Sequence, residues 1–323
     1  MDGVLIVNKP AGWTSHDVVA KARGILRTRR IGHAGTLDPS ATGVLVLCIG
    51  RATRLAQHIA DGEKEYMATA VFGAATDTQD AEGEVTSSTD ATALTGEALE
   101  RALELFRGRI RQIPPMVSAV HHSGRRLYEL AREGREVERE PREVEIHELK
   151  LLDFRPGERA EAKLRVVCSK GTYVRTLCHD LGGNLGVGAH LAELVRTRVG
   201  RFRIEDSASL EDVAALAADG RVGEKMIPMA DALSHLASFK VSEEQATTVL
   251  HGGQIVVPGT AATARSDEVV ILSSAGELLA LAKPIRAGTL MALQPTRVFV
   301  DPPSSEALNT KRSPSSPPEA EGP

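Results

Sequence analysis

Apolar and polar positions alternate along this chain in two rhythms, and they divide it into short strands and helices. Gly3–Asn8 (GVLIVN) is a short β run that Lys9-Pro10-Ala11-Gly12 turns. In SHDVVAKARGILR the residues Val18, Val19, Ala22, Ile25 and Leu26 recur at helical spacing, and Thr14 or Ser15 is placed to cap that helix. From Gly43, VLVLCIG is apolar at every position before its closing glycine, the pattern of a strand buried on both faces. ATRLAQHI predicts a short helix, and KEYMATAVFG alternates as a strand carrying Tyr66. Thr76 to Asp90 is a polar connection, and ALTGEALERALELFRG is an amphipathic helix stopped by Gln112-Ile113-Pro114-Pro115. Glu143–Phe154 and Ala162–Cys168 predict strands. In KGTYVRTLCHDLG, Tyr173 and Val174 are strand-like and Arg175 leads into a helix, while GGNLGVG (182–188) is an ordinary loop without the G-x-G-x-x-G spacing. From about Leu236 the texture becomes β-rich, and 301–323 is a Pro/Ser/Glu-rich tail without periodicity, expected to be disordered.

Composition narrows the class. With 323 residues, one large domain plus a small one is the starting expectation, and a hydrophobic share of 42% against 3% aromatics implies a mostly aliphatic core. A net charge of −4 argues against a nucleic-acid partner, but its placement is uneven. Lys163, Arg165, Lys170, Arg175, Arg196, Arg198, Arg201 and Arg203 stand against Asp180 and Glu193 alone between 163 and 203, which predicts a basic face on an acidic body. Cys48, Cys168 and Cys178 lack metal-ligand spacing and fit a reducing compartment, with Cys48 a small buried hydrophobe. The first ten residues do not have the form of a signal peptide and no run approaches a membrane span, so a cytoplasmic protein without a membrane partner is expected.

The chemistry centres on RIGHAGTLDPSATGVLVLCIG (30–50), where one carboxylate, Asp38, sits between a glycine-rich turn and the buried strand. Gly32 and Gly35 supply backbone freedom, and Pro39 stiffens the turn after the acid. By itself Asp-Pro-Ser is also an ordinary surface turn. A buried Arg175 needs a carboxylate partner, and Asp180 on its own helix is one candidate.

GHAGTLDPSATGVL resembles the catalytic motif of the TruB family of tRNA pseudouridine synthases. The resemblance continues through NKPAGWTSHDVV, GRATRLAQHI, KEYMATAVFGAATDTQDAEG, IPPMVSAVHHSGRRLYELAREG and CSKGTYVRTLCHDLG, from Val4 to about Phe202 in family order. HLAELVRTRVGRF is similar to the family's L-R-R-T-x-x-G-x-F segment, with Val195 where the first arginine is usual. The resemblance implies an α+β pseudouridine synthase fold with a mixed, mainly antiparallel central sheet over residues 1–235. It adds an RNA-clamping insertion at about 114–142 and a small PUA-like RNA-binding domain at 236–300. It implies a catalytic Asp38, an Arg175 paired with it, and a Tyr66 against a flipped base that an aromatic face can stack on. His33, Lys9, Pro10 and Tyr173 are its candidates for RNA contact. Its activity, isomerising uridine to pseudouridine at position 55 of the tRNA T-arm, needs a base extruded from the stack but no cofactor, metal or guide RNA, and a monomer is expected. Two rival readings are the guide-RNA-dependent branch, against which Ser40-Ala41-Thr42 and the absence of a basic leader before NKPAGWTS count, and a catalytically idle RNA chaperone.

Overall fold

Strand β3 (Thr42–Ile49) has every residue from Gly43 to Ile49 buried, as its unbroken apolar run requires. At about 1.5–3 kcal/mol for each fully buried Val, Leu or Ile, this strand anchors the sheet that carries the site. The computed structural model describes residues 1–116, 118, 121–122, 125–126, 133–135, 137–258, 267–287 and 290–300. These divide into two compact units, Met1–Met226 and a second from Ile227 onward, so the division falls before the 235/236 step in sequence texture.

The first unit is built on a nine-stranded sheet. Along it lie β1 (Gly3–Lys9), β3, β12 (Ala189–Val199), β4 (Lys64–Phe72), β11 (Glu161–Cys168), β10 (Arg142–Arg155) and β7 (Gly108–Gln112), with β2 (Ile31–His33) on β3 and β13 (Phe202–Arg203) on β12. Every pairing is antiparallel except β3 with β12, so the sheet is mixed and mainly antiparallel, as expected. Two small hairpins lie off it, β5 (Ala74–Thr76) with β6 (Val85–Ser88) and β8 (His121–His122) with β9 (Arg125–Arg126). Helix α1 (Ser15–Ile25) packs with β1, β2, β3 and the later helix 210–218 in one apolar cluster. A short 3-10 turn leads into α2 (Ala56–Ala60). Helices α3 (Gly96–Glu104) and α4 (Val174–Asn184) pack with β4, β10 and β11 in another cluster. Among the described residues no helix is long and apolar enough to cross a membrane.

Several local expectations change. Thr14, not Ser15, caps α1 in a capping box with Asp17, and Ser15 is buried with its hydroxyl turned to Leu37. Tyr173 is extended but serves as the N-cap of α4, and Val174 is already helical. Gly182–Asn184 finish α4 rather than forming a loop, and Gly182 lies against Ala189 too closely to admit a side chain. The predicted basic face is reduced by half, with Lys163, Lys170, Arg201 and Arg203 left exposed. Arg175 and Arg196 are buried, Arg165 bridges Glu65 and Glu148, and Arg198 is held by Glu63 and Glu65. Cross-strand neighbours in a sheet are adjacent in space though distant in sequence, so acids from β4 and β10 neutralise arginines that look unopposed in one segment. Twelve of the 29 residues of the proposed clamp at 114–142, and the whole tail 301–323, lie outside the described residues.

The second unit is a five-stranded sheet in the order β14 (Ser238–Lys240), β16 (Val269–Leu272), β17 (Leu278–Ala287), β18 (Leu290–Val298) and β15 (Ile255–Pro258). Its apolar cluster joins Val241, Val249, Ile271, Ala280 and Leu293. This is the β-rich C-terminal domain of PUA-like type that the sequence predicts.

Candidate active site

Asp38 lies in the turn between β2 and β3, and almost every backbone group around it is engaged. Ser15 Oγ donates to the Leu37 carbonyl (3.2 Å) and accepts from the Leu37 N–H (2.9 Å). The Asp38 carbonyl accepts from Ala41 N–H at 3.2 Å. The Pro39 carbonyl accepts from Gly12 N–H and from the Lys9 ammonium, each at 2.9 Å. Gly35 has φ +100°, which a side chain would resist, whereas Gly32 does not occupy the left-handed region. Gly43, at φ +101°, is required for a second reason: a Cβ there would lie 2.2 Å from the Arg196 carbonyl of β12. Gly43→Ala should therefore part β3 from β12. We expect urea denaturation to register a loss of at least about 3 kcal/mol, with strain and steric overlap adding.

The Asp38 carboxylate meets Arg175. Nε of Arg175 lies 2.9 Å from Asp38 Oδ2, with the arginine side chain 4% exposed and the aspartate 37% exposed. The other side of the same guanidinium reaches Asp80, Nη1 to Oδ2 at 3.3 Å, and Nη1 also donates to the Thr78 carbonyl at 3.2 Å. The pairing is thus with Asp38 and Asp80 rather than with Asp180 on the same helix. Asp80 is fixed in turn, its Oδ1 accepting from Thr78 Oγ1 (2.5 Å) and Glu82 N–H (3.1 Å). The polar connection that carries it is docked on β12 by Leu191 N–H to Gln79 carbonyl and Ala81 N–H to Leu191 carbonyl, both 3.0 Å. Asp38, Asp80 and Arg175, with Ser40, Ala41, Glu82, Leu191 and Leu194, border a small solvent-open cleft. One buried cation between two acids, one of them facing a cleft, holds a carboxylate in a single orientation for chemistry.

The remaining candidates fall around this centre in different ways. Tyr66 on β4 is 8% exposed, sits in the core cluster with Leu37 and Ala41, and does not border the cleft. Burial pushes its phenol up, opposed by the nearby positive charge of Arg196. Lys9 is fully buried and so does not present its charge outward; its ammonium donates to the carbonyls of Pro10 (2.9 Å), Trp13 (2.6 Å) and Pro39 (2.9 Å). Desolvation lowers it to about 8, with Asp38 nearby acting in the opposite direction. Pro10 is exposed. Tyr173 adjoins Arg175 as the cap of α4, its backbone N–H and carbonyl both held by the Gln112 amide at 3.0 and 3.1 Å, and burial raises its hydroxyl. His33 meets His16 edge-on, 5.4 Å between ring centroids, with Nδ1 buried. The three thiols are buried and raised to about 12 (Cys48), 11 (Cys168) and 12 (Cys178), which makes them packing groups rather than nucleophiles.

Burial also depresses His33 to about 4, below the ordinary 6.5. Between these values the unfolded chain binds a proton that the folded chain does not, so stability rises as pH rises from about 4 to 6.5 and falls on acidification. After allowance for partial exposure of the ring the effect is about 2 kcal/mol. Urea midpoints across that range should fall less steeply with acid in His33→Gln than in the parent protein.

Asp80 and Arg196 were missed in the sequence as members of this site. Asp80 lies in GAATDTQDAEG, a segment quoted for its resemblance, but nothing in its local pattern marks a polar turn that returns to a sheet. Arg196 was counted with a basic face, since in L-V-R-T-R-V-G alternation groups it with Arg198, away from Val195 and Val199; a register shift on β4 between Arg196 and Arg198 breaks that alternation, and Arg196 is buried.

Comparison with known proteins places the chain in a family. The TruB family pseudouridylate synthase N-terminal domain matches residues 23–174, and the tRNA pseudouridylate synthase B C-terminal domain matches residues 175–235. The tRNA pseudouridine synthase B of Symbiobacterium thermophilum is 56% identical over 252 residues, covering 78% of this chain and 82% of that protein. The protein of the same name from Geobacillus thermodenitrificans is 43% identical over 93% of this chain and all of its own length. Among solved structures, a Cbf5-Nop10-Gar1 complex matches with a TM-score of 0.72 at 30% identity, over 93% of this chain and 85% of the other. An H/ACA RNP bound to a substrate RNA containing 2'-deoxyuridine matches with a TM-score of 0.71 at 28% identity, over 93% and 86%. Sheet, aspartate turn and relatives converge, and the chain belongs to the TruB family of pseudouridylate synthases.

Proposed function

We propose that this protein isomerises uridine to pseudouridine in tRNA, at position 55 of the T-loop, with Asp38 as the catalytic carboxylate. The observation that carries the reading is Asp38 at the cleft, its carboxylate set by a buried Arg175 that Asp80 holds from behind. The reaction breaks the C1′–N1 bond, turns the uracil, and joins C1′ to C5; C5 loses a proton and N1 gains one, with no net oxidation. Bond cleavage develops positive charge at C1′, and a fixed carboxylate beside it stabilises that charge. The uracil anion delocalises its own charge and no water is added, so a single acid serves where a glycosidase uses two. The target nucleotide leaves the stack to reach the cleft. Arg175 orients the carboxylate through the reaction. Tyr66 packs against the aspartate turn from the core, beside Leu37 and Ala41, and supports it there.

The test is direct. Purified protein is mixed with unmodified tRNA transcript, without guide RNA, and pseudouridine is located by carbodiimide labelling and primer extension. Product at position 55, and none in a transcript carrying cytidine there, is the expected result. No product, or product only when a guide RNA is added, overturns the reading.

A further inference from the structure

Arg196 on β12 is the largest fully buried side chain described, 1% exposed. Its described hydrogen-bond partners are neutral: Nε donates to the Val44 carbonyl (2.8 Å), Nη1 to the Thr36 carbonyl (3.1 Å) and Nη2 to the Gly35 carbonyl (3.0 Å). No carboxylate is among them. A buried cation of this kind is costly, and a packing role alone would be met at lower cost by an aliphatic residue.

The placement gives the reason. Gly35 and Thr36 precede Asp38 in the chain and Val44 follows it, so one rigid fork ties together both ends of the aspartate turn. In the sheet, Arg196 lies opposite Gly43 of β3 and Tyr66 of β4, the point where the three strands meet. Gly43 is bare there, which lets the Arg196 backbone approach. The fork needs three divergent donors in one plane, a geometry that guanidinium has and an ammonium lacks.

We propose that Arg196 is a positioning residue for catalysis, fixing the two ends of the Asp38 turn as one unit. The inference rests on Asp38 being the catalytic carboxylate. In Arg196→Lys the ammonium can satisfy part of the carbonyl set but cannot hold both ends of the turn. Misplacing a reacting group by about 1 Å costs on the order of a hundredfold in rate.

The experiment is a single-turnover assay with enzyme in excess over tRNA transcript, on the parent protein, Arg196→Lys and Asp38→Asn, together with tRNA affinity by filter binding. Positioning predicts that Arg196→Lys converts all the tRNA but with a rate constant lower by about a hundredfold, at an affinity within threefold of the parent. A purely structural role predicts a parental rate constant, with any loss confined to the fraction of folded enzyme seen in binding, and that result overturns the inference. The Asp38 reading fails separately if Asp38→Asn turns over normally; if that variant is inert while Arg196→Lys is as fast as the parent, only the present inference falls. Should Arg196→Lys not fold, the clamp is read in the parent protein by the Arg196 Nε–H resonance. Solvent exchange much slower than for exposed arginines supports it, and exchange as fast as theirs overturns it.

Discussion

Asp38→Asn is expected to lower pseudouridine formation by at least about a thousandfold, equivalent to about 4 kcal/mol of transition-state stabilisation, while binding tRNA within a fewfold of the parent protein. The substitution is nearly isosteric and keeps the turn, whose hydrogen bonds run through backbone groups of Leu37, Asp38 and Pro39 rather than through the carboxylate. What is lost is charge at the cleft. Because the aspartate side chain is 37% exposed and Arg175 retains Asp80, stability should change by no more than about 1 kcal/mol. The test is a pair of measurements on the same preparation, yield of pseudouridine and affinity for the transcript. A near-normal yield would remove Asp38 from the mechanism.

Arg175→Met should damage both stability and rate. The arginine is 4% exposed and serves two acids, and removing one member of a buried pair costs about 3–5 kcal/mol because the remaining charge stays desolvated. Asp38 can rehydrate at the cleft, whereas Asp80, 11% exposed, cannot, which places the expected loss at the lower end, about 3 kcal/mol. Activity should fall at least about a hundredfold through misorientation of the carboxylate. Adding Asp80→Asn to Arg175→Met should cost much less than in the parent protein, since the orphaned charge is then gone; strict additivity of the two urea-derived losses would show that no such coupling exists. Arg175→Lys should fold better than the methionine variant yet remain slow, because one ammonium cannot span Asp38 Oδ2, Asp80 Oδ2 and the Thr78 carbonyl together.

Both predictions turn on a constellation of which the sequence disclosed part. The Asp38 turn and the buried strand behind it were legible because glycine, proline and an unbroken apolar run are local signals. Arg175 was legible as a buried cation in need of an acid, and the family resemblance supplied Asp38. Asp80 was not, since its role comes from a loop folding back onto β12 through backbone hydrogen bonds that any residues could make. Lys9 and Arg196 read as charges available to RNA, yet one is sealed under the Pro39 carbonyl and the other under both ends of the aspartate turn. Tyr66, expected against the base, lies in the core beside the turn.

The amino-acid sequence by itself determined the elements, their inward faces, the aspartate on a stiff turn and the membership of the family, because each of these depends on residues close together in the chain or on an ordered series of motifs. The tertiary structure alone decided which charges are buried and what neutralises them. Burial and pairing are set by strands that meet in the sheet at Gly43, Tyr66 and Arg196, and in a medium of low polarity it is the neighbour in space that determines whether a charged side chain binds, orients or supports.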